Sequence, residues 1–295
     1  MRENFEREVA LSTLQKISDG MTVILKRMGR EKRTLATFRM LLTKNEGKIA
    51  RRLDEWLDFM IREVQKGLGK IKGRSPKLIT ERLADWEDLK EQGERILKPG
   101  FLDVLAEGGK AVVERRILKQ ERFDPIGVAA VKWATKNSAA LVREVADETM
   151  KAIRKYIITG IDKGKTIQAI AKELRPLVGL TERQMMAVAN YHEWLIVNKP
   201  EYTVARIKGM SNVYARRMHR KRADLIARTE TKDALWEGSF QGYDQMGIKK
   251  LEGVSSPDSC EWCLENIHGQ VYPVDGARAV AADSHPGCEC TWVAA

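Results

Sequence analysis

The sequence has no long apolar run, no internal repeat, no low-complexity tract and only four cysteines, and each shortage excludes a class of protein. Because no stretch approaches eighteen consecutive apolar residues, we expect no transmembrane helix and no membrane partner. The first eight residues are too polar for a secretory signal, so we expect a reducing cytoplasm. In that compartment the thiols are available to a metal rather than to disulfides.

The chain of 295 residues carries a net charge of +11, which is unevenly distributed. Residues 201–232 hold nine Lys and Arg against three acids, whereas residues 233–295 hold three against ten. The positive excess indicates a polyanionic partner such as double-stranded DNA, although a solvated helical surface explains it equally well. The length allows one large domain or two to three small ones. A chain of this length can bury enough apolar surface to be stable overall without a disulfide or a metal.

Residues 1–124 are predicted to form a helical N-terminal region, and no motif in it indicates a chemistry. Apolar residues recur at helical spacing in 11–28 and 53–64. Glycines and prolines predict helix breaks at 67–69, 73–76, 99–100 and 108–109.

Residues 125–209 are predicted to form a central helical region. A long helix is expected to begin just after Asp124 and Pro125. Two short helices follow, capped by Thr166 and Thr181, because a threonine hydroxyl can accept hydrogen bonds from the free amides of a first turn. The expected helices cover 128–161, 167–174 and 182–197.

Residues 210–295 are predicted to form a C-terminal α+β module. A helix is expected from about 212 to 246, and Gly247 is placed to stop it. The apolar period then changes, and short strands are expected at 249–255, 270–273 and 289–293. The predicted fold class is mostly α, with extended helical N-terminal and central regions and a small α+β module at the C-terminus.

The first half of this last helix carries basic residues that are spaced to share a face. They are Arg216, Arg217, Arg220 and Lys221, and together with Arg222 we assign them as candidate contacts to DNA or to an acidic partner. The aromatic residues do not interleave with them as in a stacking platform, and an exposed face without a partner is the alternative. Further along, Arg228 and Glu230 are assigned a structural role, since intrahelical and core-anchoring ion pairs are common.

All four cysteines lie within the last 36 residues, in a pattern typical of a tetrahedral metal site. A C-x2-C turn is followed, after about twenty residues, by H-x2-C-x-C. The candidate ligands are Cys260, Cys263, His285, Cys288 and Cys290, of which zinc takes four. We interpret the pattern as a structural Zn²⁺ site. The alternatives are four reduced thiols that pack a small sheet, and a Cys260–Cys263 redox pair.

Two catalytic interpretations compete with this structural one. A zinc nucleobase deaminase needs an upstream H-x-E motif, and the nearest candidate, His192-Glu193, has the wrong spacing. A zinc-stapled, DNA-acting nuclease needs a general-base histidine, for which His268 beside Asn266 is the candidate. We expect no enzyme, and the nuclease is the competing function.

The order of motifs in the second half of the chain resembles the phage Mu F-like minor head protein family, the phage head morphogenesis proteins. The matching pieces are Ile226-Ala-Arg-Thr-Glu-Thr231, Asp258-Ser-Cys260-Glu-Trp-Cys263 with Gly269, and His285-Pro-Gly-Cys288-Glu-Cys290, with 165-KTIQAIAKEL-174 upstream. The resemblance covers roughly residues 130–295. The chain departs from the usual pattern at Asp283-Ser284, where relatives usually have Pro-Pro, and at Glu289, where they usually have Arg.

This resemblance implies a structural role and not catalysis. Family members are low-copy proteins bound to the portal vertex inside the procapsid, and they are implicated in head assembly and in DNA packaging or release. For this chain, the resemblance implies the portal protein, other head proteins and packaged double-stranded DNA as partners. It also implies the host cytoplasm during assembly and the interior of the virion head afterwards.

Overall fold

The computed structural model describes residues 2–68, 76–115, 124, 127–256 and 258–295. Within these residues the chain forms nine α-helices and three short strands. The helices are α1 (Arg2–Leu68), α2 (Pro76–Glu81), α3 (Trp86–Arg115), α4 (Val128–Asp162), α5 (Ile167–Leu174), α6 (Glu182–Asn198), α7 (Val204–Gln245), α8 (Glu261–Asn266) and α9 (Val274–Ala282). The strands are β1 (Lys250–Val254), β2 (Val271–Pro273) and β3 (Thr291–Ala294). The predicted class, mostly α with a small α+β module, is confirmed.

The four long helices, α1, α3, α4 and α7, pack around one hydrophobic core. In the apolar stripe of α1, Leu53 and Trp56 are fully buried in this core. Phe38 of α1 stacks on Trp236 of α7, with ring centroids 6.3 Å apart. The same core reaches Trp292 in β3, so the C-terminal module is packed against the helices.

The helix breaks predicted at 99–100 and 108–109 are wrong, because α3 is continuous through both positions. Pro99 lacks an amide hydrogen and leaves one carbonyl of the preceding turn without its helical partner. Its neighbours Leu97 and Phe101 are fully buried, so core packing keeps the helix intact here. The break predicted at 67–69 coincides with the end of α1 at Leu68, and the one at 73–76 lies outside the described residues except for Pro76.

Two glycines of the interior helices allow α3 and α7 to approach each other closely. A Cβ atom on Gly108 would lie 2.4 Å from the carbonyl oxygen of Leu235. A Cβ atom on Gly238 would lie 2.0 Å from the carbonyl oxygen of Leu105. Glycine at these positions therefore marks a helix–helix contact and not a helix end.

The helices predicted in the central region are confirmed, and their ends agree to within one residue. The hydroxyls of Thr166 and Thr181 each accept a hydrogen bond from an amide of the first turn that follows. The last long helix begins at Val204, earlier than the predicted start at about 212, because the hydroxyl of Thr203 caps it there.

The three predicted strands form one antiparallel sheet in the order β2-β1-β3. In the central strand, Glu252 pairs with Val271 on one side and with Val293 on the other. Trp292 of β3 packs on two aromatic rings of α7, those of Trp236 and Phe240, at 6.4 and 6.1 Å between centroids. The sheet is thereby fixed to α7, together with the segments that precede α8 and β3.

The division into 1–124, 125–209 and 210–295 stays a prediction, and its first boundary falls largely outside the described residues. Side chains from all three segments share the core. Arginines of α1 also form ion pairs with the C-terminal module, Arg39 with Glu289 at 2.7 Å and Arg27 with Glu252. None of the described helices has the length and apolar composition that crossing a membrane requires.

Candidate functional site

The cysteine cluster is assembled from two short segments of the C-terminal module. Cys260 precedes α8 as its N-cap residue, and Cys263 lies fully buried in the first turn of that helix. The second segment follows α9, where Gly287 adopts a φ of 75° and turns the chain between His285 and Cys288. Pairing of β3 with β1 holds this second segment beside the first.

Cys263 is the centre of the cluster. Its Sγ atom lies 3.7 Å from Sγ of Cys288 and 3.4 Å from Nε2 of His285. The structure forms two groups of three candidate ligands, each within 4.8 Å, and Cys263 belongs to both. One group adds Cys260 and His285, and the other adds Cys288 and Cys290. All five predicted ligands are therefore brought together around one shared thiol.

These separations are compatible with a tetrahedral zinc site. With Zn–S bonds of about 2.3 Å and Zn–N bonds of about 2.0–2.1 Å, tetrahedral angles place two sulfurs about 3.8 Å apart and a sulfur about 3.6 Å from a nitrogen. The observed separations of 3.7 and 3.4 Å are close to both values. Thiolates and an imidazole are also ligands that suit zinc. The residue types and these two separations therefore suit zinc, and the structure brings the candidate ligands together in two sets of three.

The imidazole of His285 is oriented for metal binding by its second nitrogen. Nδ1 lies 2.9 Å from the carbonyl oxygen of Pro286, and a carbonyl can only accept a hydrogen bond. The proton of the neutral ring is thereby placed on Nδ1, and Nε2 directs its lone pair toward Cys263. Such a hydrogen bond to the distal nitrogen is typical of histidines that bind metals.

Burial and mutual hydrogen bonding give the three inner thiols different pKa values. Burial and the charge on Cys290 raise the pKa of Cys263 to about 12. A hydrogen bond to Cys290, together with burial, raises the pKa of Cys288. Hydrogen bonds from Cys288 and Ser259 lower the pKa of Cys290 to about 5, against the effect of burial. A divalent cation would favour ionisation of all three thiols.

Two side chains of α7 that the motifs did not single out support the cluster. The indole nitrogen of Trp236 donates a hydrogen bond to the carbonyl oxygen of Cys290 at 2.9 Å. Lys232 is buried and donates to the hydroxyl of Ser284 at 2.8 Å, which fixes the residue before His285. The only sequence signal for this role was their spacing of four residues, which places both on one face of the helix.

The residues considered for a nuclease make other contacts. His268 is exposed, and its Nδ1 lies 2.9 Å from the hydroxyl of Ser255. Asn266 donates from its amide to the carbonyl oxygen of Trp262 at 2.9 Å. In the described part of the chain, His268 belongs to neither group of candidate metal ligands.

Arg228 pairs with carboxylates of other elements and not with Glu230. It bonds to Glu289, between the two last cysteines, and lies 3.4 Å from Glu46 of α1. Arg228 thus links α7 to α1 and to the segment that carries Cys288 and Cys290. Burial and the carboxylates of Asp233 and Glu144 raise the pKa of Glu230 to about 8.

The structure divides the basic cluster of α7 into an exposed face and one buried member. The exposed side chains, which have no ion pair among the described residues, are Arg216, Arg217, Arg220 and Lys221. Arg222, the fifth candidate contact, is not available to DNA or to a partner, because it is buried, donates to the carbonyl oxygen of Gly179 at 2.8 Å and pairs with Glu148 at 2.6 Å. A step of one residue turns a helix by about 100°, which moves Arg222 from the solvent side to the core side.

A row of aromatic rings lies beside this basic face, although the order of residues did not predict it. Tyr214 precedes Arg217 by three residues and shares its side of α7. The ring of Tyr214 lies 5.0 Å from that of Tyr191 on α6, and Tyr191 stacks on the half-exposed Trp194 at 6.3 Å. The rings come from two helices, so interleaving along the sequence could not reveal them.

Part of the chain matches a known protein family. Residues 151–293 match the sequence model of the family described as Phage Mu protein F like protein. No curated protein and no solved structure matches the chain. The matched segment contains the five candidate ligands and the exposed basic face. The family is one of phage head morphogenesis proteins. The resemblance read from the motifs is therefore confirmed over residues 151–293, which are just under half of the chain.

Proposed function

We propose that the chain is a portal-associated adaptor of the phage head, which acts in procapsid assembly and in DNA packaging or ejection. The observation that carries this proposal is the exposed basic face of α7, which lies inside the segment matched by the family. Four cations on one side of a helix, without an ion-pair partner in the described part of the chain, suit the phosphate backbone of DNA.

A second surface supports the adaptor role. Met21 and Met28 of α1 are 59% and 58% exposed and lie seven residues apart, so they share one face of the helix. Exposed apolar side chains on one face of a long helix are suited to a protein partner, for which we propose the portal. The chain would then contact the portal through α1 and DNA through α7.

Charge reversal on α7 tests the contact with DNA. Each phosphate contact contributes about −0.9 to the slope of log K against log salt, so Arg216→Glu with Arg220→Glu should reduce that slope by about two. The double variant should also bind double-stranded DNA at least about tenfold more weakly. Lys132→Glu with Lys136→Glu reverses the same charge on the exposed side of α4 and is the control. An equal loss of DNA affinity in both double variants would contradict a specific role of α7 in DNA binding.

Co-expression with the portal protein of the same phage tests the adaptor role. The chain should co-purify with the portal oligomer, and Met21→Asp with Met28→Asp should prevent this while the chain remains folded. Metal-dependent cleavage of DNA that is lost in His268→Ala would instead establish the competing nuclease.

We further propose that the cysteine cluster binds one structural zinc ion. Cys263 is the common ligand in this proposal, and three of Cys260, His285, Cys288 and Cys290 complete the site. Zinc would ionise the thiols and add its binding free energy, on the order of 10–16 kcal/mol in zinc-finger peptides, to the folding of the module. Four protein ligands leave no open position for a water molecule, which suits a clamp and not a catalytic centre.

Metal analysis of the purified, untagged chain tests this site. We expect one zinc per chain in the wild type and none in Cys263→Ser, because both ligand groups include this thiol. Among single substitutions of the other four candidates, three should lose zinc and the fourth should retain it, which identifies the residue outside the site. Ser255→Ala, which alters the same module without removing a candidate ligand, is the control. A wild-type chain without zinc would contradict the proposal.

A further inference from the structure

A groove between α5, α6 and α7 has no part in the functions proposed above. Its volume is about 270 Å³, and its apolar lining includes Leu177, Val188 and Ala189. Val204 lines the open end and is 83% exposed. Small-molecule sites usually enclose about 300–1,000 Å³, so this groove is better suited to one large aliphatic side chain of a protein.

The rim of this groove is positively charged. Lys172 and Lys208 line it, are exposed, and have no ion pair in the part of the chain that the structure describes. The two acids of the lining are already paired with lysines, Glu173 at 2.7 Å and Glu193 at 2.6 Å. An occupant should therefore present carboxylates beside an apolar side chain.

The C-terminal module carries a surface with this complementary chemistry. Leu264 of α8 is 49% exposed and presents a large apolar side chain to solvent. Glu261 and Glu265 flank it, are exposed, and form no ion pair with another described residue. The distribution of charge along the chain agrees, because Lys208 lies in the basic segment 201–232 and α8 lies in the acidic segment 233–295.

We propose that the groove binds Leu264 of a second copy of this chain, with Glu261 and Glu265 of that copy beside Lys172 and Lys208. The contact is head-to-tail, since the groove of one copy meets α8 of the next. Each pair then leaves one groove and one α8 surface free for further copies. Contacts of this type generate closed rings or open helical filaments.

Complementation between two disabled variants tests the head-to-tail contact. Leu264→Asp removes the apolar anchor, and Ala189→Trp fills the groove. Sedimentation velocity of the full-length chain over the micromolar range should show association in the wild type and a loss of at least about tenfold in each variant. An equimolar mixture of the two should form a one-to-one complex and nothing larger, because one variant keeps its groove and the other keeps its α8 surface.

Matched variants keep this test interpretable. Val204→Asp, at the exposed mouth of the groove, replaces Ala189→Trp if the larger side chain prevents folding. Lys132→Glu on α4 should associate like the wild type. The zinc content of Leu264→Asp, compared with that of the wild type, shows whether the neighbouring cysteine cluster is intact.

A charge exchange tests the polar part of the contact. Lys208→Glu and Glu261→Lys should each weaken association by about tenfold, and the two together in one chain should restore it. Wild-type chains that stay monomeric across this concentration range, or a mixture of disabled variants that stays monomeric, would overturn the proposal. In that outcome, the groove would be left for an acidic segment of another protein.

Discussion

At the scale of single residues, Glu289 connects three parts of the chain. Its carboxylate lies 2.7 Å from Nε of Arg39 on α1 and bonds to Arg228 on α7. Its negative charge is matched by these two arginines. The spacing of Cys288 and Cys290 predicts them as ligands, but the partners of the residue between them are distant along the chain and cannot be predicted from it.

Glu230 should make the protein less stable as the pH rises from about 5 to about 8. Burial, with the carboxylates of Asp233 and Glu144, raises its pKa in the folded state from 4.5 to about 8. Over this range the unfolded chain has lost the proton that the folded chain keeps, so stability falls by at most about 1.4 kcal/mol per pH unit. The side chain of Glu230→Gln is neutral at every pH. This variant should therefore be more stable than the wild type at pH about 8 and should differ little from it at pH about 5.

Urea unfolding at several pH values, followed by circular dichroism, measures this effect of Glu230. Glu55→Gln removes an exposed carboxylate of α1 and is the control. Its difference in stability from the wild type should stay constant across the same pH range. If Glu230→Gln had the pH dependence of the wild type, the carboxylate of Glu230 could not be the group that retains the proton.

At the scale of elements, local sequence predicts where helices begin but not where they pass close to one another. Thr166 and Thr181 bond to amides three residues away, so the chemistry of each cap is complete within one turn. Gly108 of α3 has its partner on α7 and Gly238 of α7 has its partner on α3, and no local pattern contains that information. The same holds for the cysteine cluster. The spacing of its residues predicts the candidate ligands, whereas Lys232 and Trp236 reach the cluster only because α7 packs against it.

Gly238→Ala should destabilise the contact between α3 and α7. The added Cβ atom would lie 2.0 Å from the carbonyl oxygen of Leu105, so the two helices must separate. Overpacking of this kind costs about 1–3 kcal/mol or more, and the free energy of unfolding in urea measures it.

Gly209→Ala on the same helix is the matched control for Gly238→Ala. Its Cβ atom would have no neighbour within 4 Å, and alanine favours the helix by about 0.5–1 kcal/mol over glycine. The two substitutions should therefore change stability in opposite directions. Stabilisation by both would mean that α3 and α7 do not approach each other at Gly238 as closely as the structure shows.

At the scale of the whole molecule, the helices of the N-terminal region complete the core of the segment that matches the family. The apolar stripe of α1 could be predicted from its sequence, because helical spacing shows that a face is buried. What covers that face could not be predicted, because the partner of Phe38 is Trp236 on α7. The sequence therefore shows which face of a helix is buried, but it does not show which distant residues cover that face.

A chain reduced to residues 125–295 should fail to fold cooperatively, although the sequence predicts a domain boundary there. Removing α1 and α3 would expose the core side of α7, including Leu235 and Trp236, and burying a large apolar side chain contributes about 1.5–3 kcal/mol. We expect the fragment to bind a hydrophobic dye and to unfold without a sharp transition in urea, and residues 1–124 supplied by co-expression should restore that transition. A fragment that unfolds as sharply as the full chain would instead establish the boundary as a true domain limit, and the packing of α1 and α3 on α7 would then be an interface between domains.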